Sequence, residues 1–285
     1  MTWDVMDMEY SDLIQACNEG LLEKIDHTRL AGSQSDFIEG ALVNECGVGF
    51  YVWATVYAYD TAAFGDNAPT TIADFFNASD FPGNRGLRRD PRGTLEWALM
   101  AAGVSASEVY EKLSTDEGLD MAFEELDKLK PYIVWWDGGG EPVQLLNEGL
   151  VTMTAAWNGR LYKSMVEDKA PMDIVWDSQI WEIEFMAIPK GSRNLENAKE
   201  FIQYATSTRG LADVAKYIPY GPVRKSAQNK VLPEVKSHLP TENISDTSLR
   251  FDSPWWADNI DRIRVRFDEW LVPAGGDVQG RGARF

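Results

Sequence analysis

The segment Asp173–Thr206 constrains the fold most, because an apolar and aromatic strand pattern within it continues directly into an amphipathic helix pattern. Side chains alternate across a strand, so Glu182 and Glu184 share one face while Ile183 and Phe185 share the other. The carboxylate face must meet water, a partner or a ligand. Carboxylates beside tryptophans on a buried strand indicate a pocket for a small cationic molecule.

The rest of the chain alternates between strand-like and helix-like segments, which predicts an α/β fold with mixed, mostly parallel sheets. The aromatic and β-branched run Gly49–Tyr59 is long enough to cross from one lobe to another. Asp116–Leu129 has an apolar stripe at helical spacing. A chain of 285 residues can form two lobes, each with its own core.

The charge of the chain argues against some partners. There are 27 basic and 45 acidic side chains, and the resulting formal charge of −18 repels phosphate backbones. We therefore expect no nucleic-acid partner. No run of about 18 apolar residues is present to span a bilayer.

The two ends of the chain carry separate predictions. The first residues contain no basic segment followed by an apolar stretch, so no secretion signal is visible. Trp3–Met8 is instead typical of a strand from the middle of a sheet, which predicts a chain truncated at its N-terminus. The glycine-rich segment 272–285 is predicted to be a flexible tail.

Cys17 and Cys46 are the two cysteines, and the chain has no Cys/His spacing typical of a metal site. They could form a disulfide or remain two buried free thiols, because the sequence cannot show the distance between their Cα atoms. We predict no metal and no cofactor.

Catalytic motifs are absent from the sequence: it has no nucleophile elbow, no zinc-protease motif, no phosphate-binding loop and no dinucleotide fingerprint. His27 and His238 lie in polar, loop-like contexts and are interpreted as surface residues. One enzymatic alternative stays open, a glycosidase with Glu182 and Glu184 as its carboxylates and Trp157 and Trp181 stacking on a sugar. The sequence otherwise favours a protein that binds without catalysis.

A pocket for an amine needs carboxylates for the ammonium group and aromatic faces for the methylenes. The aromatic candidates at strand ends or in loops are Trp53, Trp157, Trp181, Tyr220, Trp255 and Trp256, whereas Trp97, Trp135, Phe123 and Phe201 are assigned to the core. The cluster Arg85, Arg88, Arg89 and Arg92 favours a different ligand, since arginines near a helix start can hold a carboxylate or phosphate. Of the two interpretations of this cluster, the sequence favours a solvated charged loop.

Short motifs in a fixed order resemble those of the periplasmic solute-binding proteins of ABC transporters, and within them the spermidine and putrescine-binding group. The resemblance covers nearly the whole chain, from Trp3 to Leu271. The motifs are Trp3-Asp4-Val5, Glu19–Asp26, Val52–Thr55, Trp157-Asn158-Gly159, Ala187–Lys190 and Tyr220-Gly221-Pro222.

The resemblance implies two α/β lobes that are joined by crossing strands and close on a ligand by a hinge motion. The first lobe would comprise residues 1–59 and 184–223, and the second residues 60–183 and 224–271. The protein would be the monomeric, periplasmic binding component of an ABC-type uptake system. It would bind a small amine, a polyamine or a related molecule, between the two lobes and deliver it to a membrane permease.

The resemblance also implies a set of ligand-binding residues. Trp157, Trp181 and Tyr220 would be aromatic walls, Glu184 would hold one amine, and Asp90 would lie near the other end. Glu9, Tyr10, Trp53 and Trp256 complete the predicted site. Gly93 stands where polyamine binders place a second carboxylate, so the alternative is an amino acid, opine or phosphonate bound through the Arg85–Arg92 region.

Overall fold

The computed structural model describes residues 3–30 and 32–272. Within these residues, no helix is both long and apolar enough to cross a membrane. The predicted flexible tail, 272–285, lies outside the described residues except for Val272.

One mixed sheet runs through the molecule in the order β1-β6-β2-β5-β3-β4, with β7 added beside β2 and β8 beside β6. The strands are β1 Met6–Met8, β2 Gly47–Asp60, β3 Arg85–Arg88, β4 Ile133–Trp136, β5 Met153–Trp157, β6 Met172–Ala187, β7 Gly221–Pro222 and β8 Leu249–Arg250. The two longest strands, β2 and β6, correspond to the runs that the sequence predicts to be strands.

The direction of the strands corrects one expectation. The sheet is mixed, as predicted, but its longest ladder is antiparallel and runs between β2 and β6 from Gly47↔Ala187 to Asp60↔Met172. β2 is also antiparallel to β5 and β7, and β1 is antiparallel to β6. Parallel pairing occurs where β3 lies between β4 and β5, and between β6 and β8. Alternating sequence patterns show that strands are present but do not show which strands become neighbours.

Helices cover the sheet, and several begin at a side chain that caps their free backbone N–H groups. Thr115 caps α6, and Asp252 caps the long α13. The helices are α1 Tyr10–Asn18, α2 Thr61–Phe64, α3 Ile72–Phe76, α4 Pro91–Ala101, α5 Val109–Leu113, α6 Asp116–Leu129, α7 Glu141–Asn147, α8 Asn158–Tyr162, α9 Leu195–Ala205, α10 Thr208–Val214, α11 Lys225–Gln228, α12 Pro233–Lys236 and α13 Ser253–Leu271.

Two large apolar cores lie along the crossing strands. The first includes Val52 of β2 and Ile183 of β6, packed with α1, α9 and α10. The second includes Tyr57 of β2 and Ile180 of β6, packed with α3 to α6 and α13. This is the two-lobed arrangement expected of the fold. The exact lobe boundaries stay a prediction. On β2, Val52 belongs to the first core and Tyr57 to the second.

Two local predictions differ from the structure. Arg85–Arg88 forms strand β3, although the sequence favoured a solvated loop there, because the flanking arginines mask a short apolar strand. Phe201, assigned to the core from its spacing in α9, is 52% exposed.

The structure joins Cys17 at the end of α1 to Cys46 just before β2 in a disulfide, with their Cα atoms 5.8 Å apart. The bond connects α1 to the start of a crossing strand across a separation of 29 residues. The two cysteines therefore form a disulfide rather than two buried free thiols, the alternatives that the sequence left open.

Candidate binding cleft between the crossing strands

The floor of a cleft is formed by alternate residues in the middle of β2. Tyr51, Trp53 and Thr55 line the cleft, while the residues between them are buried on the other face. On the neighbouring strand β6, Glu184 is paired with Tyr51 and Glu182 with Trp53. The face that the sequence identified as acidic therefore lies beside an aromatic face, and both contribute to one surface.

The inner half of the cleft lies at the carboxyl ends of three parallel strands. Arg88, Trp136 and Trp157 are the last residues of β3, β4 and β5, and each lines the cleft. Helix α4 begins just after β3 and adds Arg92, Gly93 and Thr94. Ligands of α/β proteins commonly bind at this edge of a sheet.

The outer half of the cleft continues past Glu9, Trp53 and Trp157, which line both halves. The outer half is completed by Tyr51, Arg160, Glu184 and Tyr220. The Trp53 indole Nε1 donates a hydrogen bond to Glu184 Oε2 at 2.8 Å, which fixes this carboxylate against the aromatic floor.

The carboxyl groups on the floor hold protons more tightly than free glutamates do. Burial, together with the negative charge of Asp7, raises the pKa of Glu184 to about 8. Burial and the nearby Glu9 and Glu184 raise the pKa of Glu182 well above its usual value, although Arg92 and Arg88 oppose this. A cation bound between Glu182 and Glu184 would relieve the repulsion between them. No group of His, Cys, Asp and Glu within 3–30 and 32–272 could hold a metal ion.

Two arginines bring positive charge to the inner half. The Arg88 guanidinium lies 5.7 Å from the centre of the Trp157 ring. Arg92 donates from Nε and Nη2 to the two carboxylate oxygens of Asp90, at 3.0 and 2.9 Å. Burial favours the protonated form of Asp90, but the hydrogen bonds from Arg92 outweigh it and lower the pKa of this carboxyl.

Two residues that line the inner half each carry a buried polar atom with no hydrogen-bond partner in the part of the chain that the structure describes. These atoms are the indole Nε1 of Trp136, a residue 2% exposed, and Oε2 of Glu182, a residue 8% exposed. Buried polar groups without partners are uncommon and costly in folded proteins. One of these atoms is a donor and the other an acceptor.

Only part of the predicted site lies on this cleft. Glu9, Trp53, Trp157, Glu184 and Tyr220 line it. Only some residues of the Arg85–Arg92 region line the cleft. Arg88 and Arg92 do, whereas Arg89 is exposed and does not line it. Arg85 is fully buried and donates to the backbone carbonyls of Phe75 and Gly83 at 2.8 and 2.7 Å.

The other predicted site residues have structural contacts instead. Tyr10 stacks on Phe185 with ring centres 5.2 Å apart. Asp90 caps α4 and pairs with Arg92. Trp181 is on the strand face opposite Glu182 and lies 5.4 Å from the Arg250 guanidinium. Trp256 is buried and donates to Glu96 at 2.6 Å, outside this cleft.

Sequence reasoning missed Tyr51, Thr55, Trp136 and Arg160. The alternation Tyr51-x-Trp53-x-Thr55 was a usable signal, because a crossing strand exposes one face to the space between the lobes. Trp136 ends an apolar strand just before three glycines, a position typical of a site at a strand end. Arg160 had no local signal of this kind.

The Gly138–Gly140 turn leaves space for the Trp157 ring. A Cβ atom at Gly139 would overlap with that ring, whereas a Cβ at Gly140 would meet nothing within 4 Å. We therefore expect Gly139→Ala to displace Trp157 and to lower the free energy of unfolding by about 1–3 kcal/mol, the usual cost of overpacking. Urea unfolding followed by tryptophan fluorescence measures this. Gly140→Ala is the matched control, and equal stability of the two variants would contradict the prediction.

Two lobes that share crossing strands, with a cleft of charged and aromatic side chains at the strand ends, define a solute-binding protein of a bacterial uptake system. The chain belongs to the family of bacterial extracellular solute-binding proteins, whose model matches residues 1–241. This is a family of binding proteins that serve transport rather than catalysis.

Several similar proteins are named for a ligand or were solved with one. A curated gamma-aminobutyric acid-binding protein of Pseudomonas aeruginosa is 39% identical over 273 residues, which cover 95% of this chain and 76% of the relative. The solved structure of the Atu4243 GABA receptor is 29% identical, with a TM-score of 0.81 over 98% of this chain and 84% of that one. The protein MotA of A. tumefaciens B6, solved with glucopine, is 28% identical, with a TM-score of 0.81 over 95% and 84%.

Proposed function

We propose that the protein binds a small zwitterionic amino acid, of the kind represented by 4-aminobutyrate, for uptake by an ABC transporter. The observation that carries this proposal is the meeting of opposite charges in one cleft. Glu182 and Glu184 lie on its floor, Arg88 and Arg92 line its inner half, and Arg160 lines its outer half. A ligand with an ammonium group and a carboxylate complements both.

Each part of such a ligand has a matching group. Ammonium would bind the floor carboxylates, where each charge-assisted hydrogen bond contributes about 1.5–3 kcal/mol. The methylenes would lie against Trp53, Trp157 and Tyr220. The ligand carboxylate would face the arginines, whose planar donors suit it.

A polyamine fits this cleft less well than a zwitterion does. Its second ammonium would meet Arg88 and Arg92, and Gly93 offers no carboxylate where the polyamine-binding pattern expects one. The ligands named for the relatives support the amino acid and opine alternative over the spermidine and putrescine reading. The glycosidase alternative needs Trp181 beside the two glutamates, but Trp181 lies on the opposite strand face.

The proposed function includes partners and a location. As a member of an extracellular family, the protein would work outside the cytoplasmic membrane, in the periplasm, as a monomer that passes its ligand to a membrane permease. The disulfide between Cys17 and Cys46 supports this location, because such bonds persist in oxidising compartments. The net charge of −18 favours a small molecule over nucleic acid as its ligand.

Three ligands of similar length test the proposal by charge alone: 4-aminobutyrate, 1,4-diaminobutane and succinate. We expect 4-aminobutyrate to raise the melting temperature. Titration calorimetry should show at least about 100-fold weaker binding of the other two ligands, because one end of each would be buried against side chains of the same charge. Tighter binding of 1,4-diaminobutane would restore the polyamine reading. Binding of none of the three would exclude short ω-amino acids as the ligand class.

A further inference from the structure

Resting on the proposed function, we propose that the indole N–H of Trp136 donates a hydrogen bond to the ligand carboxylate, in an anion subsite that it forms with Arg88. This assigns the orientation of the ligand. The carboxylate enters the inner half of the cleft at the ends of β3 and β4, and the ammonium group lies over the β6 carboxylates.

Trp136 and Arg88 are neighbours by strand register. They are paired directly in the parallel ladder of β3 and β4, and each is the last residue of its strand. The Trp136 and Trp157 rings meet edge to face with centres 6.2 Å apart, and the Arg88 guanidinium lies over the Trp157 ring. Trp136 and Arg88 thus share Trp157 as a common support.

The Trp136 indole N–H is a buried donor for which the described residues provide no acceptor. Trp136 is one of the largest fully enclosed side chains of the second core, and the residue lines the cleft, while its buried Nε1 has no partner among residues 3–30 and 32–272. Leaving such a donor unpaired destabilises the ligand-free protein, and a phenylalanine at this position would avoid this cost. A ligand oxygen that accepts from Nε1 would recover this free energy on binding.

The start of helix α4 does not offer an equivalent site. The backbone N–H of Arg92 already donates to Asp90 Oδ1 at 3.0 Å, and that of Gly93 donates to Glu96 Oε2 at 2.7 Å. These two N–H groups are therefore already engaged, and the side-chain donors at the ends of β3 and β4 are Arg88 and Trp136.

The second unpartnered atom fixes the other end of the ligand. Glu182 Oε2 is an acceptor on the floor of the same inner half. A zwitterion that pairs with Trp136 Nε1 and Glu182 Oε2 satisfies both atoms at once. A diamine could pair with Glu182 Oε2 but offers no acceptor to Trp136 Nε1, whereas a dicarboxylate could accept from Trp136 Nε1 but would repel the Glu182 carboxylate.

Trp136→Phe tests the assignment because it removes the N–H group and keeps an aromatic ring. We expect 4-aminobutyrate to bind about 5- to 30-fold more weakly, with the melting temperature of the ligand-free protein unchanged or raised. Trp135→Phe is the matched control, since Trp135 packs against Phe267 and Trp270 on the other side of β4. Its affinity for 4-aminobutyrate should equal that of the wild type.

The indole ¹H–¹⁵N resonance of Trp136 in the wild type gives a second readout that does not depend on the variant folding. It should shift downfield on addition of 4-aminobutyrate, as expected when an indole N–H gains a carboxylate acceptor. If the wild type binds 4-aminobutyrate while this resonance stays in place and Trp136→Phe binds equally well, the assignment is wrong and the proposed function stands. If the wild type does not bind 4-aminobutyrate, the proposed function itself fails.

Discussion

Glu184→Gln should weaken the binding of 4-aminobutyrate by about 10- to 100-fold, because the ammonium group loses a charge-assisted hydrogen bond. Glutamine has nearly the same shape as glutamate, and its carbonyl oxygen can still accept the hydrogen bond from Trp53 Nε1. The aromatic floor should therefore stay intact. Calorimetry at pH 9, where the wild-type Glu184 is ionised, measures the full effect.

The same substitution should change stability in the opposite direction. At pH 9 the ligand-free wild type holds a buried negative charge beside Asp7, and glutamine removes it. The melting temperature of ligand-free Glu184→Gln should thus exceed that of the wild type at this pH. A loss of stability would show that Glu184 is ionised and paired within the protein rather than kept for a ligand.

The control for Glu184→Gln is Glu124→Gln, on the exposed side of α6. It removes the same charge from the chain without touching the cleft, so it corrects for the long-range effect of net charge on binding. We expect its affinity for 4-aminobutyrate to equal that of the wild type. If both variants bind as tightly as the wild type, Glu184 does not belong to the ligand site.

Ligand binding should release a proton at neutral pH. The pKa of Glu184 is about 8 in the ligand-free protein, so the carboxyl is mostly protonated at pH 7, and an adjacent ammonium group favours its ionised form. The affinity should therefore rise as pH increases from 6 to 8, by up to about tenfold per pH unit, and level off above 8. Calorimetry in two buffers of different ionisation enthalpy counts the protons released.

The same carboxyl makes the ligand-free protein less stable as pH rises. Its pKa in the folded state, about 8, exceeds its ordinary value of 4.5, so the folded state binds more protons than the unfolded state between these two limits. Its contribution to the free energy of unfolding falls as pH rises from about 4.5 to 8, and Glu182 acts in the same direction. Saturating ligand should reduce this dependence. An affinity that is constant between pH 6 and 8, without proton release, would contradict the linkage.

Local sequence patterns predicted the secondary structure where the burial of apolar side chains alone decides the conformation. The apolar stripe of α6 predicted Asp116–Leu129, the bounds that the structure gives, because an amphipathic helix must bury that stripe. Strand alternation likewise placed Ile183 and Phe185 in a core, and Glu182 and Glu184 on the opposite face. The family followed from short motifs in order, which the family match confirms.

Alternation also explains one error in the predicted site. Trp181 and Glu184 are three residues apart on β6, so they must lie on opposite faces of that strand, and grouping them in one cleft conflicted with the period of two. The tryptophan that contacts Glu184 is Trp53, which is 131 positions away in sequence and adjacent only through the pairing of β2 with β6.

The sequence by itself determined the long strands and their acidic face, because burial and side-chain period are local properties, and the order of its motifs resembled the solute-binding family, which implied the two-lobed fold. Only the tertiary structure decided which charges meet. Arg85 is buried as a structural donor while Arg88 faces the cleft, and Trp136 joins Arg88 because β3 and β4 pair in parallel. Pairing between distant strands is set by packing of the whole molecule, and it places positive charge opposite the glutamates.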